Sequence, residues 1–126
     1  MKEEVERPTD LRLRTRRFSL SIIRFFETLP ASGHGQILGR QLLRSATSVG
    51  AHYHEGHRSR SVAEFISKLE TALQELEETR YWLLLITESG VAEDDVVAPL
   101  LKEADELTSI FVTSVKKLKI SKSKAS

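Results

Sequence analysis

The chain has 126 residues, 40% of them hydrophobic and 29% charged, and its 19 Lys and Arg against 18 Asp and Glu leave a net charge of +1. This is the size and balance of one globular domain that buries a core without covalent staples. The lack of Cys excludes disulfides, thiolate metal sites and Cys nucleophiles, the balanced charge gives no bulk argument for a polyanionic partner, and the longest apolar run, Tyr81–Ile86, is far short of the roughly 20 residues that span a bilayer. The opening MKEEVERPTD has no apolar signal core, so the expected location is the cytoplasm, with no membrane partner.

Met1–Arg7 is charged and expected to fray. Thr9 or Asp10 is placed to cap a first helix running to about Leu29, ahead of Pro30. Leu11, Thr15, Phe18, Ile22, Phe25 and Leu29 recur at alternating four- and three-residue spacing and form its inward stripe. Leu13 and Leu20 fall on the opposite side, among Arg12, Arg14, Arg16, Arg17 and Arg24. PASGHG is a turn by composition. A second helix is predicted from about Gln36 to His54, burying Ile37, Leu42, Ala46, Val49 and Tyr53 and ended by Gly56. Its centre, SATSVGA, is small-residued, and Gly50 costs helix propensity, which implies a close approach of a neighbour there.

Ser61–Ser89 reads as one long helix. Ser61 with Glu64 is a capping-box pair, and Gly90 is a natural residue just beyond the helix end. Phe65, Leu69, Ala72, Leu73, Leu76, Leu83 and Ile86 share a face. A fourth helix begins near Glu93–Asp95, with Pro99 tolerated only near its first turn, and carries Val97, Leu100, Leu101, Ala104, Leu107, Phe111, Val115 and Leu118 inward. The ordered core is expected over about 9–119, with 120–126 a disordered tail. Four amphipathic stretches with short links and no strand alternation predict one all-α domain, an antiparallel up-down-up-down four-helix bundle.

Some apolar residues fall off the inward stripes. Tyr81, Trp82 and Leu85 project away from the main face of the third helix, as Leu13 and Leu20 do on the first. These five are the expected oligomer interface, because large aromatics are enriched where subunits meet; the competing reading lays Trp82 across a groove of its own bundle. Glu64, Glu70, Glu75, Glu77 and Glu78 make the third helix acidic where the first is Arg-rich, so the two could face each other between subunits or equally be solvated faces within one bundle.

Two kinds of chemistry are also written into the residues. His52, His54, Glu55 and His57 are the densest set of metal-ligand types, but HYHEGH lacks the spacing of a known metal motif. A metal-dependent hydrolase built on His52, His54 and His57 is the alternative reading of function. Ser45, Ser48 and Ser59 lie near these histidines without any nucleophile-elbow or oxyanion motif. For nucleic acid, Arg12, Arg14, Arg16, Arg17, Arg24, Arg40, Arg44, Arg58 and Arg60, followed by the Lys-rich tail, are the candidate phosphate contacts. No recognition-helix motif or aromatic stacking platform accompanies them, so base readout is not expected. No cofactor is implied.

The run Arg44-Ser45-Ala46-Thr47-Ser48-Val49-Gly50-Ala51-His52-Tyr53, then Glu55, His57-Arg58 and Ser61, resembles the hallmark of the bacterial four helix bundle family, also called the large-subunit ribosomal RNA intervening-sequence protein family. Glu64–Leu69, Glu75, Glu78-Thr79, Tyr81-Trp82-Leu83 and Leu101–Leu107 continue the likeness, which covers about Leu11 to Leu118. The family usually carries Asn where His52 stands here, and Arg or Ala at His54. The resemblance implies an antiparallel bundle assembled as a homopentamer. A related accessory protein of diversity-generating retroelements, a basic pentameric barrel, binds nucleic acid and a reverse transcriptase. The expected function is thus a non-enzymatic, self-assembling adaptor whose partners are its own copies, RNA or DNA, and a reverse transcriptase or other protein.

Overall fold

The computed structural model describes residues 10–125, and the expected frayed start and Ser126 lie outside them. Four helices follow one another: α1 Leu11–Glu27, α2 Gly33–His57, α3 Val62–Glu88 and α4 Asp94–Ala125. Each packs on its sequence neighbours, α2 against α3 most closely, while α1 returns to α4 along a looser seam. The diagonal pairs α1/α3 and α2/α4 make no close backbone approach and meet only through side chains in the core, as where the Tyr53 ring of α2 stacks on Phe111 of α4 at 5.7 Å. The result is an all-α, antiparallel four-helix bundle.

Local chemistry sets the helix ends. The Asp10 carboxylate accepts from the Leu13 amide at 3.2 Å and opens α1. Ser61 Oγ accepts from the Glu64 amide at 3.1 Å and opens α3, while the Glu64 carboxylate reaches the Arg60 amide at 3.1 Å, one residue before the expected partner. Gly90 adopts φ +82°. The Val91 amide then donates to Ile86 O at 2.9 Å and the Gly90 amide to Thr87 O at 3.0 Å, a Schellman closure that needs glycine at the left-handed position.

The core has the composition the periodicity predicts on α1, where Leu11, Thr15, Phe18, Ile22 and Phe25 are all buried. Thr15 is tolerated there because its hydroxyl donates to Leu11 O at 2.7 Å. On α3 the buried set is Ile66, Leu69, Ala72, Leu76, Thr79, Leu83 and Ile86, with Phe65 and Leu73 half-buried beside it. The buried Thr79 and Ser45 hydroxyls meet at 2.9 Å across the α2–α3 contact.

Four expectations about the elements are corrected. Ile37, expected in the core, is 63% exposed. Gly56 does not end α2; it is buried within the helix, which runs on to His57. Pro99 lies inside α4 rather than in its first turn. The helix of α4 continues past Leu118 to Ala125, so the tail is helical through its described length. At 1.5 Å per residue, the 32 residues of α4 span about 48 Å against about 26 Å for the 17 of α1. The end of α4 therefore runs past the start of α1, alongside the first turns of α3, where Lys119 pairs with Glu70 at 3.1 Å, and from Lys119 through Lys124 its residues are exposed.

Candidate interaction surfaces

The residues expected at an interface divide into two groups. Tyr81 is 55% exposed and Leu20 43%, whereas Leu13, Trp82 and Leu85 are half-buried. Trp82 packs against its own core, with the edge of its ring 5.1 Å, centroid to centroid, from Tyr81. Its indole N–H is buried without an acceptor. The indole thus belongs largely to its own bundle, and Tyr81 is the ring that α3 offers outward.

Ile23, 37% exposed and three residues from Leu20, carries no distinguishing mark in the sequence. With Leu13, Leu20 and the exposed Arg16, Arg17 and Arg24 it forms one outer stripe of α1. The α3 stripe carrying Tyr81 and Leu85 runs through Glu70, Glu77 and Glu88, all exposed. Among the described residues Arg16, Arg17 and Arg24 make no ion pair, and neither do Glu77 and Glu88. Because α1 and α3 sit on the diagonal, the two stripes lie on opposite sides of the molecule and cannot satisfy each other within one chain.

The other candidate arginines are partly committed. Arg14 clamps the α1–α4 seam, its Nε 2.7 Å from Glu103 Oε2 and its Nη2 2.7 Å from Glu106 Oε1, and these carboxylates hold its guanidinium pKa above the ordinary value. Arg44 bridges to Glu78 at 2.7 Å. Arg40 Nε lies 2.7 Å from the Gln36 side-chain amide, whose oxygen accepts from it when the amide is turned to satisfy its neighbours. Arg12, Arg58 and Arg60 remain exposed, without an ion pair among the described residues.

The three histidines do not converge. His52 leans on α3, Nε2 3.8 Å from Glu75 Oε2 and Nδ1 3.8 Å from Glu55 Oε1, both beyond hydrogen-bond reach. His54 turns to α1, beside Asp10, Arg12 and Arg16. The His57 ring lies 6.0 Å from that of Tyr53. Among the described residues no group of three or more His, Cys, Asp or Glu is placed to hold a metal. The serines bond to backbone or Thr79 rather than to a histidine: Ser45 to Leu42 O and Thr79, Ser48 to Arg44 O, Ser59 to Glu55 O.

One property emerges only once the helices are placed. The start of α1, the α2–α3 turn and the end of α4 gather at one pole of the bundle. There, residues 10–17, 50–70 and 112–125 carry twelve Lys and Arg against four Asp and Glu. The remainder, 18–49 and 71–111, carries five against eleven. A chain of net charge +1 thus folds into a strongly polarised body. Among the described residues no helix is long and apolar enough to cross a membrane.

As a class, the protein is an all-α four-helix bundle that leaves apolar residues on the outer faces of α1 and α3. The pattern of the 23S rRNA-intervening sequence protein family matches residues 9–113, and the chain belongs to that family. Among solved structures it is similar to a crystal structure of a protein of unknown function from the S23 ribosomal protein family of Bacteroides thetaiotaomicron, at 28% identity and TM-score 0.79, over 83% of this chain and 97% of that one. No curated protein matches the chain.

Proposed function

We propose that this protein is a non-enzymatic module that self-assembles head to tail, the α1 stripe of one copy docking on the α3 stripe of the next. The observation that carries the reading is the pair of unmatched faces on opposite sides of the bundle: Leu20 and Ile23 among unpaired arginines, and Tyr81 among unpaired glutamates. Two different patches that complement each other make a heterologous contact, which closes into a ring where the rotation allows. Five is the number the family resemblance implies. Opposite charges flanking an apolar centre fix register and speed encounter. The ring then serves as an adaptor, its basic residues pooled over the copies for contact with RNA or DNA.

Complementation tests the geometry. Leu20→Glu spoils the α1 stripe and Tyr81→Glu the α3 stripe, and both sites are exposed, so each variant keeps its helix content. Each alone sediments as a smaller species than the parent. Mixed, they form a one-to-one dimer, because each supplies the face the other lacks. Full-size assembly by both single variants, or a mixture that never pairs, contradicts the reading.

A further inference from the structure

Given head-to-tail assembly through α1 and α3, the α1 arginines are occupied by the neighbouring subunit's glutamates and are not the principal nucleic-acid surface. We infer that nucleic acid is held instead at the basic pole, by Arg58 and Arg60 of the α2–α3 turn with Lys116, Lys117 and Lys124 of the last turns of α4. This rests on the proposed assembly for its multivalency.

Three observations support the assignment. First, these five side chains are exposed and make no ion pair among the described residues, so no internal contact must break before they meet phosphate. Second, the turn forms a polar concavity of about 510 Å³ whose two carboxylates are engaged: Glu55 accepts from Lys68 Nζ at 2.7 Å and Glu64 from the Arg60 amide at 3.1 Å. Its lining also holds Arg58 and Arg60, both exposed and without an ion pair among the described residues, with Ser59 and Ser67 beside them. Third, α1 and α3 run in the same direction, so side-by-side docking in a cyclic ring brings the same pole of every copy to one side. The rim so formed is basic throughout, and the opposite rim acidic. A phosphodiester backbone laid on the basic rim meets several subunits at once and is repelled from the other. At this pole the Tyr53 ring is buried and the Phe65 ring is half-buried against the core, so neither offers an open platform for base stacking. The contact is with backbone and independent of sequence.

The test uses the full chain and two labelled 30-mer duplexes of arbitrary sequence, one RNA and one DNA, titrated by anisotropy across a salt series with sedimentation run on the same samples. The Arg58→Gln, Arg60→Gln, Lys116→Gln, Lys117→Gln variant is expected to weaken binding at least about tenfold at low salt, and the slope of log K against log salt to flatten by about 0.9 for each phosphate no longer neutralised. Its sedimentation and helix content are expected to match the parent. Lys102→Gln, exposed on the acidic half of α4 and outside both stripes, leaves affinity within about twofold. Parent-like binding by the quadruple variant overturns the assignment, as does a parent that binds neither duplex or binds anionic vesicles in their place. A monomeric parent whose duplex binding is still abolished in the quadruple variant sinks the ring and leaves the pole standing.

Discussion

Two glycines of α2 make opposite predictions that follow from a few tenths of an ångström. A Cβ at Gly56 would lie 2.9 Å from Lys68 Cβ and 2.9 Å from Phe65 Cδ1. The first of these atoms is fixed to the α3 backbone and cannot rotate away, so α2 and α3 must separate at their tightest pairing. Overpacking of this kind costs about 1–3 kcal/mol. Against it stands a helix-propensity gain of at most about 1 kcal/mol, less at a penultimate helical position. A Cβ at Gly50 would meet Thr15 Oγ1 at 3.3 Å, Thr15 Cβ at 3.5 Å and its backbone carbon at 3.6 Å, which asks only for a small shift of Thr15. There the same propensity gain nearly offsets or exceeds the cost. Gly56→Ala is therefore expected to lose about 1–2 kcal/mol and Gly50→Ala to stay within about 0.5 kcal/mol of the parent or gain stability. At about 4 °C per kcal/mol for a domain of this size, thermal melts at one fixed protein concentration separate the two variants by at least about 2 °C. A Gly56→Ala protein that melts at or above the Gly50→Ala protein refutes the packing argument.

The buried Ser45–Thr79 pair should behave as a unit. Thr79→Val or Ser45→Ala alone is expected to cost about 1 kcal/mol, and the double variant less than the sum of the two by about 0.5–1 kcal/mol in a urea-melt cycle; strict additivity would show that the hydroxyls do not interact. Burial pushes the Tyr53 phenol above its ordinary 10.0, with Arg12 pulling it down and Asp10 raising it. A raised folded-state value means that the contribution of this group is intact below pH 10 and is lost as pH climbs through the folded value. Tyr53→Phe is expected to flatten the alkaline limb of the stability–pH curve and to change little at neutrality, since its hydroxyl makes no hydrogen bond among the described residues; an unchanged alkaline limb counts against a buried phenol.

Most of the fold is legible in the spacing of apolar residues, because four helices with short links leave few other arrangements. Where the reading of α2 slips, the reason is glycine. The inward positions at the start of α2 are Gly35 and Gly39, which carry no hydrophobic signal. Ile37, between them, supplies the apolar pattern while pointing to solvent. A Cβ at Gly39 would lie 2.8 Å from Leu29 Cδ1, so the glycine is there to admit α1. Gly56 looks the same in sequence whether it ends a helix or lets α3 approach, and only the packing tells the two apart. The small-residue run around Gly50 is readable because Ser45, Ala46 and Val49 mark the same face.

The interaction surface is legible only in outline. Leu20 and Tyr81 stand out by periodicity and are exposed; Trp82 stands out equally but is held by its own core. Ile23 does not stand out because it borders the inward stripe. The charged pole cannot be read from composition at all, since the acidic end cancels it in the sum. It depends on which helix ends meet, and that is a property of topology.

The solution mass of the intact chain tests the central claim most directly. Sedimentation velocity at micromolar concentration is predicted to show one defined assembly several times the 14.3 kDa of a single copy, shrinking when Tyr81 or Leu20 is replaced by Glu. A sharp boundary at 14.3 kDa, unmoved by concentration, would mean that the two outer stripes do not bring copies together.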